Sequence, residues 1–356
     1  MYNLNASTIA APGSSNHFDP EILDFAQIKL AVIGCGKWGQ NHVRTAQQLL
    51  AGNLKLVCDA SPGARDTVKS ISAAIPFTSN LQEVLDDRDI NCVIVATPPV
   101  AHYEIAKQCL QHGKHVLVEK PITLISDHAR DLLRLAAENK CTLMVGHVLL
   151  YHPAIIKLKA EITAGRLGKV RYIYSNRLNL GTIRSEENIL WSFAPHDISV
   201  IQYLTESHPI YLDAKGATFL QNNIEDTTLT YLIYPNNIHA HIFVSWLHPF
   251  KEHRLIVIGS RGMMVFEDNL AQDKLKFYPK GFQDKDGRIE KFDSAYEIIA
   301  YDDEPPLANE HKHFFQAVLG KTKPLTDGEH ALEVLTILEK AQNKLRKYEA
   351  AGSNLS

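Results

Sequence analysis

Hydrophobic and polar positions follow two different rhythms along this chain. Between about residues 28 and 148, short apolar runs alternate with stretches whose apolar residues recur every three or four positions. The runs Ile28–Ile33, Lys55–Asp59, Cys92–Ala96, His115–Glu119 and Thr142–Gly146 are apolar nearly throughout. That pattern predicts strands buried on both faces, as in a parallel sheet covered by helices. Helices are predicted at Asn41–Leu50, Ala101–His112 and Ser126–Asn139. In the last, Ala129, Leu132, Leu133 and Ala136 share a face, and Ser126 is the expected N-cap. Repeated strand–helix units of this length predict an α/β fold with a doubly wound parallel sheet.

After His147 the rhythm changes. Tyr151-His152-Pro153 reads as a junction, followed by a helix from about Ala154 to Ala164 that stops at Gly165. Period-two runs then predict strands at Thr228–Tyr234, Ile238–Trp246, Arg254–Gly259 and Met263–Glu267. In the second of these, Ile238, Ala240, Ile242, Val244 and Trp246 fall on one face, and His239, His241 and Ser245 on the other. Few helices separate these runs, so a mostly antiparallel sheet is expected. Two closing helices are predicted at about Ala308–Leu319 and Gly328–Tyr348. The expected division is an N-terminal arm at 1–26, a first domain at 27–148 and an α+β second domain at 149–356, whose last helices return toward the first.

Composition narrows the function classes. With 45% hydrophobic and 22% charged residues and a formal net charge of −3, nothing points to nucleic acid or an anionic membrane surface. No apolar run approaches the roughly 18 residues that suggest a membrane span. The first 25 residues lack the basic start and long apolar stretch of a secretory signal, so a cytoplasmic protein is expected. All five cysteines precede residue 150 and none forms a C-x-x-C pair; buried, reduced thiols are the expectation.

Gly34-Cys35-Gly36-Lys37-Trp38-Gly39 joins the first predicted strand to the first predicted helix. In this setting G-x-G-x-x-G reads as a dinucleotide site. Gly34 permits the tight turn, Gly36 lets backbone approach a pyrophosphate, and Gly39 lets the helix pack on the strand. Asp59 ends the second strand about 20 residues beyond the loop, where a carboxylate accepts from the adenine ribose hydroxyls and repels a 2′-phosphate. NAD is therefore favoured over NADP. Ala96-Thr97-Pro98-Pro99 is expected to wall the nicotinamide side of the cleft. The predicted cofactor contacts are Gly34, Gly36, Lys37, Trp38, Gly39, Asp59, Thr97, Pro98, His102, Glu119 and Lys120.

Hydride transfer from an alcohol carbon requires a group that takes the hydroxyl proton. Lys120, in Glu119-Lys120-Pro121 at the end of the fourth predicted strand, lies where such sheets bind ligands. A free lysine with a pKa near ~10.4 is a poor base, but burial and a cationic nicotinamide ring both lower that value. His196, expected to begin a helix running from Asp197 to Leu204, is the second catalytic candidate. The histidine pairs His239/His241 and His311/His313 lack the companions of a metal set, and no metal is expected.

At these residues the chain resembles the family of glucose-fructose oxidoreductases, inositol dehydrogenases and their relatives (the Gfo/Idh/MocA type). The matching pieces are Gly34–Gly39, Ala96-Thr97-Pro98-Pro99, Glu119-Lys120-Pro121, Tyr151-His152-Pro153 and the helix carrying His196. The resemblance runs from about Ile28 to the final helices. It implies a Rossmann domain and a second domain with a large open sheet whose outer face forms a homodimer or homotetramer. It also implies that Lys120 and His196 are active-site residues. Two positions depart from the family pattern: Ser192 stands where many relatives carry an aspartate four residues before the histidine, and Leu150 where many carry an arginine.

A softer similarity, in Arg177–Gly181 and Trp191–Asp197, is to members acting on nucleotide sugars. It implies oxidation or reduction of a ring hydroxyl on a nucleotide-linked amino sugar or uronate. Arg177 would then hold a phosphate or carboxylate, and Trp191 would stack on a sugar or base. His147, Tyr151, Asn179, Ser192 and His196 complete the expected substrate contacts. A free polyol or inositol dehydrogenase remains an alternative. So does a non-catalytic NAD-binding sensor, which the missing aspartate at Ser192 would suit.

Overall fold

The computed structural model describes residues 24–352, so residues 1–23 of the expected N-terminal arm lie outside the described part. The first half alternates β1 (Leu30–Ile33), α1 (Gly39–Leu50), β2 (Leu54–Cys58), α2 (Ala64–Ile71), β3 (Phe77–Thr78), α3 (Leu81–Asp86), β4 (Cys92–Val95), α4 (Pro99–Gln111), β5 (His115–Glu119), α5 (Ser126–Glu138) and β6 (Leu143–Gly146). The six strands pair in the order β3-β2-β1-β4-β5-β6, all parallel. This is the expected doubly wound sheet, and its order reverses between β1 and β4. The loops leaving those two strands therefore diverge and open a crevice, the usual ligand position in such sheets.

Apolar strands bury both faces, as expected. Leu30, Val32, Ile94 and Leu117 point into one core, while Ala31, Ile33, Val93, Val95, Val116 and Val118 point into another. Ser126 does not cap α5: it is the first helical residue, and its N–H donates to Glu339 Oε1 at 2.8 Å. A tertiary partner thus satisfies the amide that a side-chain cap was expected to satisfy.

The second half comprises α6 (Pro153–Thr163), β7 (Val170–Leu180), α7 (Ile189–Thr205), β8 (Tyr211–Ala217), β9 (Thr227–Tyr234), β10 (Ile238–Ser245), β11 (Leu247–Gly259), β12 (Met263–Glu267) and β13 (Leu275–Tyr278). A hairpin, β14 (Lys280–Lys285) and β15 (Arg288–Asp293), precedes β16 (Glu297–Ile298), α8 (Pro306–Val318) and α9 (Gly328–Gly352). Eight strands form one sheet in the order β16-β13-β12-β11-β7-β10-β9-β8. Every pairing is antiparallel except β7 with β10. Ala240, Ile242, Val244 and Trp246 are buried on one face, as the alternation predicts.

One helix differs from expectation in a way that matters for the site. Rather than starting near Asp197, α7 starts at Ile189, where the Asn188 side chain accepts the Trp191 N–H at 3.3 Å. Pro195 lies inside it, so His196 is mid-helix. A proline costs a helix one hydrogen bond; here Leu190, Ala194, Ile198 and Ile201 of the same helix are buried and compensate. No helix among the described residues is long and apolar enough to cross a membrane.

Candidate active site at the crevice

The glycine loop leaves β1 at the switch point. Gly34 has φ +97°, and a Cβ there would lie 2.7 Å from the Ala96 backbone of the neighbouring β4 loop. At Gly39 a Cβ would lie 2.2 Å from Gly34 O. These two glycines serve the turn and the close packing. Gly36 is different: it is exposed, and nothing lies within 4 Å of its would-be Cβ. Lys37 and Trp38 are exposed beside it, and no side chain caps the start of α1. The open backbone at this helix end matches what a pyrophosphate needs.

Asp59 holds the loop as well as its own turn. Its Oδ2 accepts the Cys35 N–H at 2.6 Å and its Oδ1 accepts the Ser61 N–H at 2.7 Å. Across the crevice Pro98 is exposed, and Thr97 Oγ1 is buried without a partner among the described residues. His102, expected to contact cofactor, is instead buried beneath the loops. Its Nδ1 lies 2.8 Å from Pro121 O and its Nε2 2.8 Å from Thr97 O. Both ring nitrogens are engaged with backbone, so His102 ties the β4 and β5 loops together. An open glycine loop, a ribose-side carboxylate and an unpartnered Thr97 hydroxyl fit a dinucleotide.

At the end of β5, Lys120 is half-buried and its Nζ donates to Ser192 O of α7 at 3.0 Å. Burial lowers its pKa; Glu119 and Glu187 oppose that, whereas Arg184 and Arg177 add to it. The direction is the one a proton acceptor near neutral pH requires. His196 faces the same space. Its pKa is driven well below the ordinary value by burial and by Lys120, Arg177, His147 and His253 around it. His147 is buried, and its pKa is likewise driven well down by burial, His330 and Lys120. The Nδ1 atoms of His147 and His196 have no partner among the described residues. Lys120, His147 and His196 thus face one space, with burial pushing each of them toward its neutral form.

Ser192 contributes through its backbone. Its carbonyl accepts from the Lys120 amine, so this chain holds the lysine with main chain rather than with a carboxylate at position 192. The neighbouring carboxylate on α7, Asp197, is turned away toward β7. It binds Arg177 in two places, Nε to Oδ2 at 2.9 Å and Nη2 to Oδ1 at 3.1 Å, and its Oδ1 accepts from Ser175 Oγ at 2.6 Å. Arg177 is buried and its charge neutralised, which corrects its expected role as the holder of a substrate phosphate or carboxylate. Asn179 lies on the same strand face, with Oδ1 buried and unpartnered among the described residues.

Two other expected substrate contacts lie elsewhere. Tyr151 is 0% exposed, and its hydroxyl is 2.9 Å from Thr326 Oγ1 in the core. Trp191 donates its indole N–H to Gln342 Oε1 at 3.0 Å and packs against both cores. Neither is a free platform for a sugar or base.

The site also contains residues that no sequence motif marked. Asp197 and Ser175 position Arg177, and Arg184 with Glu187, paired at 3.2 Å, stand on the loop facing Lys120. A strand arginine followed by a helix acid next to His196 was the available signal for the first pair. The loop pair carried none. His239 and His241 are engaged with Tyr231 and Tyr172, and no group of three metal-binding side chains occurs among the described residues. Cys35, Cys58, Cys92 and Cys109 are buried free thiols, with burial pushing Cys58 up to about 11 and Cys109 up to about 12.

Known proteins resemble this chain in both halves. Residues 28–147 match the oxidoreductase family with an NAD-binding Rossmann fold, and residues 155–265 match the GFO/IDH/MocA C-terminal domain. The scyllo-inositol 2-dehydrogenase (NAD(+)) of Bacillus subtilis strain 168 is 26% identical over 249 residues, covering 66% of this chain and 72% of that protein. UDP-N-acetylglucosamine 3-dehydrogenase of Acidithiobacillus ferrooxidans is 26% identical over 317 residues, covering 86% of this chain and 94% of that one. A solved structure of the latter enzyme superposes with a TM-score of 0.77 at 22% identity, over 90% of this chain and 97% of that one, a likeness of fold. With both domains matched in order around a shared crevice, the chain belongs to the GFO/IDH/MocA family of NAD-binding oxidoreductases.

Proposed function

We propose that this enzyme moves a hydride between a sugar ring carbon and nicotinamide, on a nucleotide-linked sugar, with Lys120 carrying the hydroxyl proton. The observation that carries the reading is the half-buried Lys120 amine facing His196 and His147, whose Nδ1 atoms are unpartnered among the described residues. When bound, NAD accepts the hydride on its nicotinamide ring. The chain supplies the rest. Gly36 and the start of α1 receive the pyrophosphate, Asp59 the adenine ribose, and Thr97 the wall near the ring. The Lys120 amine takes the hydroxyl proton as the carbon–hydrogen bond breaks, becoming an ammonium that Ser192 O stabilises. His196 and His147, neutral, orient the substrate hydroxyls.

A nucleotide-linked substrate is supported by the long match to the UDP-sugar dehydrogenase, 86% of this chain against 66% for the inositol enzyme. With Arg177 held by the buried Asp197, Arg184, whose partner Glu187 lies three positions away on the loop before α7, is proposed to meet its diphosphate. The outer face of the eight-stranded sheet carries Tyr172, Tyr174, Tyr231, His239, His241 and Ile256, and is proposed to pair with a second copy of the chain. The division at about residue 148 would then separate a cofactor domain from a substrate and assembly domain. The deciding test screens UDP-sugars, free sugars and inositols with NAD, following the near-ultraviolet absorbance of reduced nicotinamide. Turnover of a UDP-linked amino sugar or uronate is expected. Turnover confined to free polyols would select the inositol-type reading, and silence with NAD bound would select a sensor.

A further inference from the structure

Glu119, the residue before Lys120, is the centre of a buried polar chain. Its Oε1 accepts the Trp38 indole N–H at 2.6 Å and lies 2.8 Å from His42 Nε2; its Oε2 accepts the Lys120 backbone N–H at 3.1 Å. His42 Nδ1 is in turn 2.8 Å from Nε2 of His311, with the two rings stacked at 5.1 Å and 12°. Both histidines are 0% exposed. They come from α1 and α8, 269 positions apart. The facing strand leaves room for the carboxylate, since a Cβ on Gly146 would lie 2.9 Å from Glu119 Oε1.

The hydrogen-bonding order of this chain can be assigned. An ionised Glu119 only accepts, so His42 must carry its proton on Nε2. In the neutral ring its Nδ1 is then a lone pair, which requires a proton on His311 Nε2. His311 Nδ1 is left as a bare acceptor, and it has no partner among the described residues. A stranded lone pair is tolerated where a stranded N–H is not. His42, Trp38 and Lys120 hold Glu119 ionised against its burial. The neighbouring Glu310 is fully buried with neither oxygen partnered; burial and the Glu119 charge push its pKa well up, so it stays neutral.

We propose that His42 and His311 are positioning residues that act through Glu119 on Lys120, fixing Oε1 toward the protein and keeping a full negative charge beside the lysine. This rests on Lys120 being the proton carrier. The groups facing Lys120 are Glu119 on β5, Arg177 on β7, Arg184 and Glu187 on the loop before α7, and His147 and His196. Of these, Glu119 does most to raise its basicity. Weakening its hold would let burial dominate, so more of Lys120 would be free amine at neutral pH. Because Trp38 belongs to the glycine loop, the same carboxylate links the dinucleotide half of the crevice to the proton carrier.

Two measurements on the substrate-free protein test this. Long-range proton–nitrogen spectra of the histidine rings should show His42 and His311 both as the Nε2–H tautomer; an imidazolium or an Nδ1–H form at His42 would overturn the assignment. Acetic anhydride labelling of Lys120, read by mass spectrometry against pH, should run about three- to tenfold faster at neutral pH in His42→Ala. His311→Ala should shift it less, in the same direction. His42→Gln and His311→Gln, which keep a donor amide, should restore the wild-type profile. Wild-type labelling in folded His42→Ala, or in His311→Ala if the former does not fold, would sink the proposal. Labelling needs no turnover, so a shifted profile beside an unaffected Lys120→Ala enzyme would refute the function while leaving the coupling standing.

Discussion

The two walls of the crevice are built by different physics. On the dinucleotide side the shape is set by backbone: Gly34 at φ +97°, a contact at Gly39 that no Cβ would fit, and proline-stiffened Thr97–Pro99. On the opposite side it is set by side-chain charge, with Arg177 neutralised by Asp197 and Lys120 held on the Ser192 carbonyl. A backbone site fails when atoms are added. A charged site fails when one partner is taken away.

Substitutions on each wall press on that contrast. Lys120→Ala should lower turnover by about two to four decades, while fluorescence titration shows NADH still bound. Near-normal turnover on the true substrate would remove Lys120 from the chemistry. Asp197→Ala leaves Arg177 charged, buried and unpaired, which should cost about 3–5 kcal/mol in urea unfolding. Replacing both members, Arg177→Met with Asp197→Leu, should recover most of that stability; if it does not, the pair does more than neutralise itself.

On the backbone side, Gly34→Ala should destabilise by about 1–3 kcal/mol, because the new methyl must displace the β4 loop from an unfavourable φ. Gly36→Ala should leave unfolding within about 0.5 kcal/mol of wild type yet weaken NADH binding, since its methyl would occupy only ligand space. Equal effects of the two on stability would erase the distinction. The smallest effect concerns Glu310. Its folded pKa is raised above the ordinary ~4.3, so the native state retains a proton that the unfolded chain has lost. Stability from this group therefore falls as pH rises from about 4.3 toward the raised folded value. Glu310→Gln lacks that slope. Its urea midpoint should gain on wild type between acid and neutral pH, and parallel profiles would mean that Glu310 is ionised in the fold.

Legibility in the sequence followed the same division. Strands β1, β2, β4, β5 and β6 announced themselves because burial on both faces leaves an apolar run, whereas the two-residue β3 has no period to read. Gly34, Gly36 and Gly39 were readable because backbone demands select one residue type. The substrate wall was half readable. Lys120 and His196 stood out by position, but the start of α7, capped by Asn188, was hidden behind Pro195. Arg177 was identified without its partner: a helix acid beside His196 was in view, but no fixed spacing ties a residue of β7 to one of α7. His42 lies on the buried side of an amphipathic helix, where nothing local distinguishes a ligand-tuning ring from a packed one.

The closing helices have a consequence for how the molecule is made. Val145 of β6 donates to Thr326 O at 2.8 Å, Met144 bridges to Asp327, and Ala331 and Leu335 of α9 complete the core beneath β4 and β5. Phe314 and Phe315 of α8 join the other core of the same sheet. The cofactor half is thus translated first but finished last. While the ribosome adds the second half, the outer edge of β6 stands without its cover, a state in which unpaired strand edges invite association. The residues that close that edge arrive only after the eight-stranded sheet has been synthesised.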